Sequence, residues 1–367
     1  MKLKIDVITL HAVQNYGSVL QALATQSILE GKGCQVRIIN YVRKDIRYDN
    51  ILEARSGGNL IKKIILFPSV RRWQKVFETF NREHLHLTDT MYSSEADFAD
   101  YCSDADAFCT GSDQVWNSKW NGGILPEFYF SFVPENKFKF SFSASFGQSV
   151  LSDEEVKATA HLISQYRFIS VREDTGKKII EEQYHYPEAT VLLDPTLLME
   201  ASYWRKMAAP RAIKEDYILI YNLNRSREFD RYAKELSRKT GLKLVRLCTR
   251  YDQFYRAGKS VFCPEVNEFI SLIDNARYVL TDSFHATAFS MNMNTEPICV
   301  YPKEFSSRLN SFLRLTNSLQ RHITGYDDFD VVNRPVDFNE VNSIMVRERN
   351  KAGVFLDRVV NSIRNEC

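Results

Sequence analysis

Short apolar runs alternate along this chain with longer segments of helical period. Ile5–Leu10 reads as a buried strand, and Val19–Glu30 as a helix with Leu20, Leu23, Ala24, Ser27 and Ile28 on one face. Gly31 and Gly33 stop that helix, and Gln35–Asn40 is a second strand that completes a βαβ unit. Further strands are predicted at Ala107–Thr110, Phe138–Ser143, Phe168–Val171 and Thr190–Leu193. In Phe138–Ser143, Phe138, Phe140 and Phe142 share one face, with Lys139 and Ser141 on the other. A second series opens with strand Tyr217–Tyr221, helix Arg227–Arg238, strand Lys243–Leu247 and helix Val266–Asn275. It continues through strand Tyr278–Leu280, a tight turn at Asp282–His285, a helix carrying Ala286, Ala288, Phe289 and Met291, and strand Pro297–Val300. A helical connector from Pro195 to Met207 separates the two series, and Asn339–Arg364 reads as a terminal helix with a break near Gly353.

This alternation predicts an α/β protein with mainly parallel sheets. A chain of 367 residues is long for one core, so two domains are expected. The boundaries fall at residues 1–207 and 208–335, with a C-terminal helix at 336–367 packing across both. Hydrophobic content of 44% with 26% charged residues is that of an ordinary globular protein, and a net charge of +2 argues against nucleic acid as a partner. Seven cysteines without a CxxC pair support neither a zinc ribbon nor a disulfide framework, which suits a reducing cytoplasm. The segment Met1–Leu10 is too short and too charged for a signal peptide, and no apolar stretch has the length of a membrane span. Leu60–Val76 mixes apolar and basic residues, and two readings fit it. The simpler is two core-packing helical pieces split at Pro68; the other is peripheral contact with the inner membrane surface.

Candidate chemistry gathers where strands end. His285 falls in the first turn of a helix at the carboxyl end of a strand, where unpaired N–H groups and the helix dipole attract anions. An imidazole there suits acid–base work on a phosphorylated substrate, although a lone histidine is as often structural. In the first βα turn, Asn15-Tyr16-Gly17-Ser18 lets the backbone approach a ligand, or simply forms a tight turn and cap; its spacing is not GxGxxG. Thr110–Asn117 follows a strand and carries Asp113, Gln114, Trp116 and Asn117, residue types that bond sugar hydroxyls and stack on a sugar ring. Arg172, after a strand, can fork onto a phosphate or carboxylate, or pair with Glu173 or Asp174. Arg308 opens a later helix and is a second candidate cation. His84-Leu85-His86 looks like alternation in a short strand, and Asp104-Ala105-Asp106 like a surface turn; no metal site is expected.

Taken together, Asn15–Ala22, Gly111–Asn117, Val171-Arg172-Glu173, Asp194-Pro195-Thr196 and Ser283–Ser290 resemble, in order, the motifs of the polysaccharide pyruvyl transferase family. The resemblance covers about residues 4–320 and implies two Rossmann-like domains facing a cleft, as in GT-B glycosyltransferases. It implies transfer of pyruvate from phosphoenolpyruvate to two hydroxyls of a sugar, giving a cyclic ketal and phosphate. No cofactor is expected beyond phosphoenolpyruvate as co-substrate, and the acceptor is a sugar in a polysaccharide or on a lipid-linked oligosaccharide. By the same resemblance His285 is the catalytic acid–base group, and Arg172 with Ser283 and Phe284 binds the donor. Some members carry Arg-Leu-His where this chain has Ser283-Phe284-His285, and Arg308 is the expected substitute for that cation. Asn15, Tyr16, Gly17, Asp113, Gln114 and Trp116 are assigned to the acceptor, on the N-terminal domain. A nucleotide-sugar glycosyltransferase of the same fold, or a non-catalytic carbohydrate-binding protein, is the alternative. Thermal stabilisation by a UDP- or GDP-sugar would mark the former, and sugar binding without phosphate release the latter.

Overall fold

The apolar runs become two parallel sheets in the computed structural model, which describes residues 2–224, 226–301 and 307–366. Six strands, β1 (Lys4–Ile8), β2 (Gln35–Ile38), β3 (Ala107–Thr110), β4 (Phe138–Ser141), β5 (Tyr166–Val171) and β6 (Ala189–Val191), form a sheet in the order β2-β1-β3-β4-β5-β6. Five more, β7 (Tyr217–Tyr221), β8 (Lys243–Cys248), β9 (Lys259–Phe262), β10 (Tyr278–Thr281) and β11 (Glu296–Cys299), form a second sheet in the order β11-β10-β7-β8-β9. Every paired strand is parallel, and helices connect the strands, so the inner strands are buried on both faces. Central β7, Tyr-Ile-Leu-Ile-Tyr, is buried at every position, whereas edge strand β9 is exposed or half-buried throughout.

The chain divides into two compact units. Unit 1 comprises Met1–Arg47, Thr79–Leu198 and Arg347–Cys367; unit 2 comprises Tyr48–Glu78 and Met199–Val346. Each has its own apolar cluster, one built around Phe108, Trp116, Phe128, Phe146 and Ile169, the other around Ile218, Ile220, Phe229, Tyr232 and Leu280. The units are therefore not a simple cut near residue 207, because residues 48–78 belong with the second sheet and the last helical turns with the first.

Two expected helix breaks are absent. Pro68 lies inside one helix, Leu60–His84, although proline costs about 3 kcal/mol in a helix interior. Leu66, Val70, Trp73 and Phe77 are all buried along that helix, each stabilising by roughly 1.5–3 kcal/mol, which outweighs the lost hydrogen bond. Gly353 likewise sits inside an unbroken helix, Phe338–Glu366, where buried Ala352, Phe355, Leu356 and Val359 offset a glycine penalty of about 1 kcal/mol. His84–His86 is no strand: the helix runs to His84, and Leu87 makes only an isolated bridge to Ile38. Asp104 pairs with Lys4 and Arg37, and Asp106 accepts from the Lys4 backbone N–H at 2.7 Å, so this turn ties β3 to β1.

Candidate functional site

Open parallel sheets bind ligands at strand carboxyl ends where the strand order reverses. The reversal falls between β1 and β3 in unit 1, and between β7 and β10 in unit 2.

In unit 1 the strand ends are joined by a buried polar network. Thr9, after β1, donates to Ser112 O at 2.8 Å and accepts from Gln21 Nε2 at 2.9 Å. Gly111 is required there, because a Cβ would stand 2.9 Å from Thr9 Cβ. Ser18, in helix Tyr16–Gly31, donates to Asp113 at 2.7 Å. Arg172, after β5, donates to Asp194 at 2.5 Å and Glu173 at 3.3 Å, with Asp113 at 3.6 Å. Ser145 in turn donates to Glu173 at 2.8 Å. Burial opposes the Arg172 charge, but Glu173, Asp194 and Asp113 outweigh it and hold the guanidinium above its ordinary value. Asp194 also caps the next helix, Pro195–Leu198, by accepting from Thr196 N at 3.0 Å.

In unit 2, Thr281 ends β10 by donating to Tyr221 O at 2.6 Å and accepting from Ser283 N at 3.0 Å. Asp282 accepts from the backbone N–H groups of Leu223 and Asn224, at 2.7 and 2.8 Å. The side-chain amides of Asn222 and Asn224 add bonds at 3.1 and 3.0 Å, so the loop after β7 is stapled to the end of β10. Burial raises the Asp282 carboxyl, and the N–H bonds from Leu223 and Asn224 oppose that rise. Ser283 caps helix Phe284–Asn292 by accepting from Ala286 N. His285 is buried in its first turn, with the Phe284 ring edge-on at 5.3 Å. The Arg308 guanidinium lies over the other side chain of this pair, 5.6 Å from the Phe284 ring.

The model of the polysaccharide pyruvyl transferase family matches residues 15–304, which spans both strand-end clusters. The chain belongs to the polysaccharide pyruvyl transferase family. It is thus a transferase whose family implies a sugar acceptor. Solved structures similar to this pyruvyl transferase family member include a UDP-N-acetylglucosamine 2-epimerase from Rickettsia bellii, at 12% identity and a TM-score of 0.54, covering 99% of this chain and 97% of that one. A second is a UDP-GlcNAc 2-epimerase from Neisseria meningitidis, at 10% identity and a TM-score of 0.50, covering 99% and 100%. The glycosyltransferase SnogD from Streptomyces nogalater matches at 8% identity and a TM-score of 0.50, covering 99% of each chain. At these identities the likeness is one of fold: two Rossmann-like domains of the GT-B-like class. No curated protein matches the chain in sequence.

Within this transferase, the residues expected on the donor side divide between the units. His285, Ser283, Phe284 and Arg308 come together in unit 2, and Arg172 sits in the carboxylate cluster of unit 1. The expected acceptor residues share the β1 and β3 ends, but most of their polar atoms serve the loop itself. Asn15 caps its helix through a 2.9 Å bond from Gly17 N, and Tyr16 is fully buried. Gln114 Oε1 accepts from Asn117 Nδ2 at 2.5 Å, and Gly147, with φ of +61°, leaves no room for a Cβ beside this pair. Trp116 requires correction as a sugar platform. Its indole is stacked on Tyr129 at 5.4 Å, flanked by Phe146 and Tyr166, and donates to Phe128 O at 3.1 Å. With only 2% of its surface exposed among these rings, the indole has no face left for a sugar. Asp194, Ser18 and Asp282 had no assigned role in the sequence pattern, though Asp-Pro-Thr is a recognisable helix start. Among the described residues, no group of His, Cys, Asp and Glu is arranged to hold a metal ion.

Proposed function

We propose that this transferase moves pyruvate from phosphoenolpyruvate to two hydroxyls of a sugar, releasing phosphate and leaving a cyclic ketal. What supports the reading is the position of His285: a buried imidazole in the first turn of a helix, at the strand-order reversal of unit 2, within the residues the family model matches. His285 as imidazolium gives its proton to the methylene carbon of the enol, which becomes a methyl group and makes the neighbouring carbon electrophilic. One sugar hydroxyl attacks that carbon and returns its proton to His285. The carbon–oxygen bond to phosphate then breaks, the second hydroxyl closes the ketal, and its proton leaves with the phosphate. Ser283 and the N–H groups at its helix start face the donor anion, and Arg308 supplies the positive charge that Ser283 lacks. Arg172 remains a proposed donor ligand, with Asp194 and Glu173 fixing the plane of its guanidinium. Asp113, with Asn15 and Gln114, is proposed for the acceptor, which is either polymeric or lipid-linked.

The deciding assay measures phosphate released from phosphoenolpyruvate in the presence of a panel of lipid-linked and nitrophenyl sugars. Release with at least one acceptor is expected, falling about 10²–10⁴-fold in His285→Ala, the scale of a general acid–base group. Near-normal turnover in that variant would remove the imidazole from the mechanism. Phosphate from no acceptor, with stabilisation by a nucleotide-sugar instead, would sink the donor assignment.

A further inference from the structure

Helix Leu60–His84 presents apolar side chains on two opposite faces in its first turns. One face is covered: Leu66, Val70, Trp73 and Phe77 are buried. The other carries Leu60 and Ile61, each 70% exposed, with Ile64 at 65% and Ile65 at 55%. At 100° per residue, Leu60, Ile61 and Ile64 fall on the same side as Pro68, Arg71 and Lys75, which are also exposed. An exposed lone leucine is ordinary, but four large aliphatic residues within six positions form a contiguous patch of the kind that marks an interaction surface. The loop Tyr251–Tyr255 is tied to this helix by a 2.8 Å bond from Tyr251 N to Ser69 Oγ, and exposes Phe254 and Tyr255.

Charge selects the occupant. Between Leu60 and Phe77 the chain has five basic residues, Lys62, Lys63, Arg71, Arg72 and Lys75, and no acidic one. Lys63 pairs with Glu53 and Arg72 with Glu265, while Lys62, Arg71 and Lys75 lie exposed beside the patch. A second copy of the same surface would bring these positive charges face to face. An anionic lipid surface accepts both features at once, taking the aliphatic side chains into the headgroup–acyl boundary while lysines and arginines meet the lipid charge. We propose that this face of unit 2 docks on an anionic membrane surface. The Pro68 position fits this geometry, because its missing N–H and bulky ring lie on the exposed side, between the apolar and the basic stretches. The surface does not depend on which donor or acceptor the transferase uses.

The test is co-sedimentation of the full chain with phosphatidylcholine vesicles, with and without phosphatidylglycerol. Binding is expected to the anionic vesicles and to weaken as salt rises. Ile61→Ser with Ile64→Ser and Ile65→Ser should weaken it at least about tenfold. Lys62→Gln, Arg71→Gln and Lys75→Gln should each weaken it about fivefold. Circular dichroism melting of each variant keeps misfolding separate, since all these side chains are exposed in the folded chain. Absence of vesicle binding, equal binding to neutral vesicles, or binding untouched by the triple isoleucine variant would each overturn the proposal. So would a triple variant that merely turns an oligomer into a monomer, which would identify a self-association surface.

Discussion

At the strand ends of unit 1 one arginine is shared among three carboxylates, whereas at those of unit 2 an arginine lies over an aromatic ring beside a histidine. The unit 2 cluster sits where the strand order reverses, and the unit 1 cluster reaches that point through Asp113, after β3; both are built on serine, aspartate and a helix start. The difference lies in how the charges are balanced. Carboxylates outnumber the guanidinium around Arg172, so its charge is largely spent inside the protein, holding the ends of β3, β5 and β6 in register. In unit 2 the buried carboxylate, Asp282, is satisfied by loop amides, while the His285 imidazole and, from the later helix Ser307–Leu315, the Arg308 guanidinium both lie against the Phe284 ring. Position at a strand end therefore says where chemistry can occur, and the local charge balance says whether a residue there is wiring or reagent.

Substitution of Arg172 separates those roles most sharply. Arg172→Ala leaves buried Asp194, Glu173 and Asp113 without their shared cation, so a stability loss of about 3–5 kcal/mol is expected in denaturant titrations. Phosphoenolpyruvate affinity left intact in that variant would remove Arg172 from the proposed donor ligands, and a nearly unchanged denaturation midpoint would remove it from the wiring of unit 1. The converse holds for Arg308. Arg308→Ala should weaken phosphoenolpyruvate binding by about 1.5–3 kcal/mol, the range of a hydrogen bond to a charged group, with little change in melting. If calorimetry finds donor affinity intact and stability reduced as far as in Arg172→Ala, the contrast between the units disappears.

The smallest effect concerns Lys139, whose ammonium is buried among Phe130 O, Val133 O and the Gln165 side chain. Burial pulls it down to about 8. Between about pH 8 and the ordinary lysine value of about 10.4, the unfolded chain binds the proton that the folded chain has released. At Lys139 unfolding then takes up a proton, which contributes a rise in stability with pH, whereas Cys34, Cys109, Cys263 and Cys299, held protonated by burial, contribute a fall in the same window. The lysine's share is the difference between two proteins: Lys139→Met should make the pH slope of stability from chemical denaturation less positive than in the parent chain, and an identical slope would show that Lys139 contributes nothing.

Much of this molecule is legible in the order of its apolar runs. The parallel sheets, the βαβ entry and the placement of His285 at the end of β10 follow from strand–turn–helix spacing, which is local. What was not legible depends on partners distant in the chain. Trp116 sits in a polar loop whose composition suits a sugar, and only Tyr129, Phe146 and Tyr166 decide that its faces are covered. Arg172 meets Asp194 across 22 positions, so the nearer Glu173 or Asp174 pairing captured only part of its surroundings. Strand β9 is short, lies at an edge and lacks alternation, so hydropathy does not announce it. In helix Leu60–His84 the sequence shows apolar and basic residues mixed, but not which apolar side chains the fold leaves uncovered.

The staple at Asp282 has a mechanical consequence. Four donors from Asn222–Asn224 converge on one buried carboxylate, so that segment cannot lift from the end of β10 without stranding a negative charge in the interior. The loop after β7 and the helix bearing His285 consequently behave as one stiff piece. On that side the histidine stands against a wall of fixed contour.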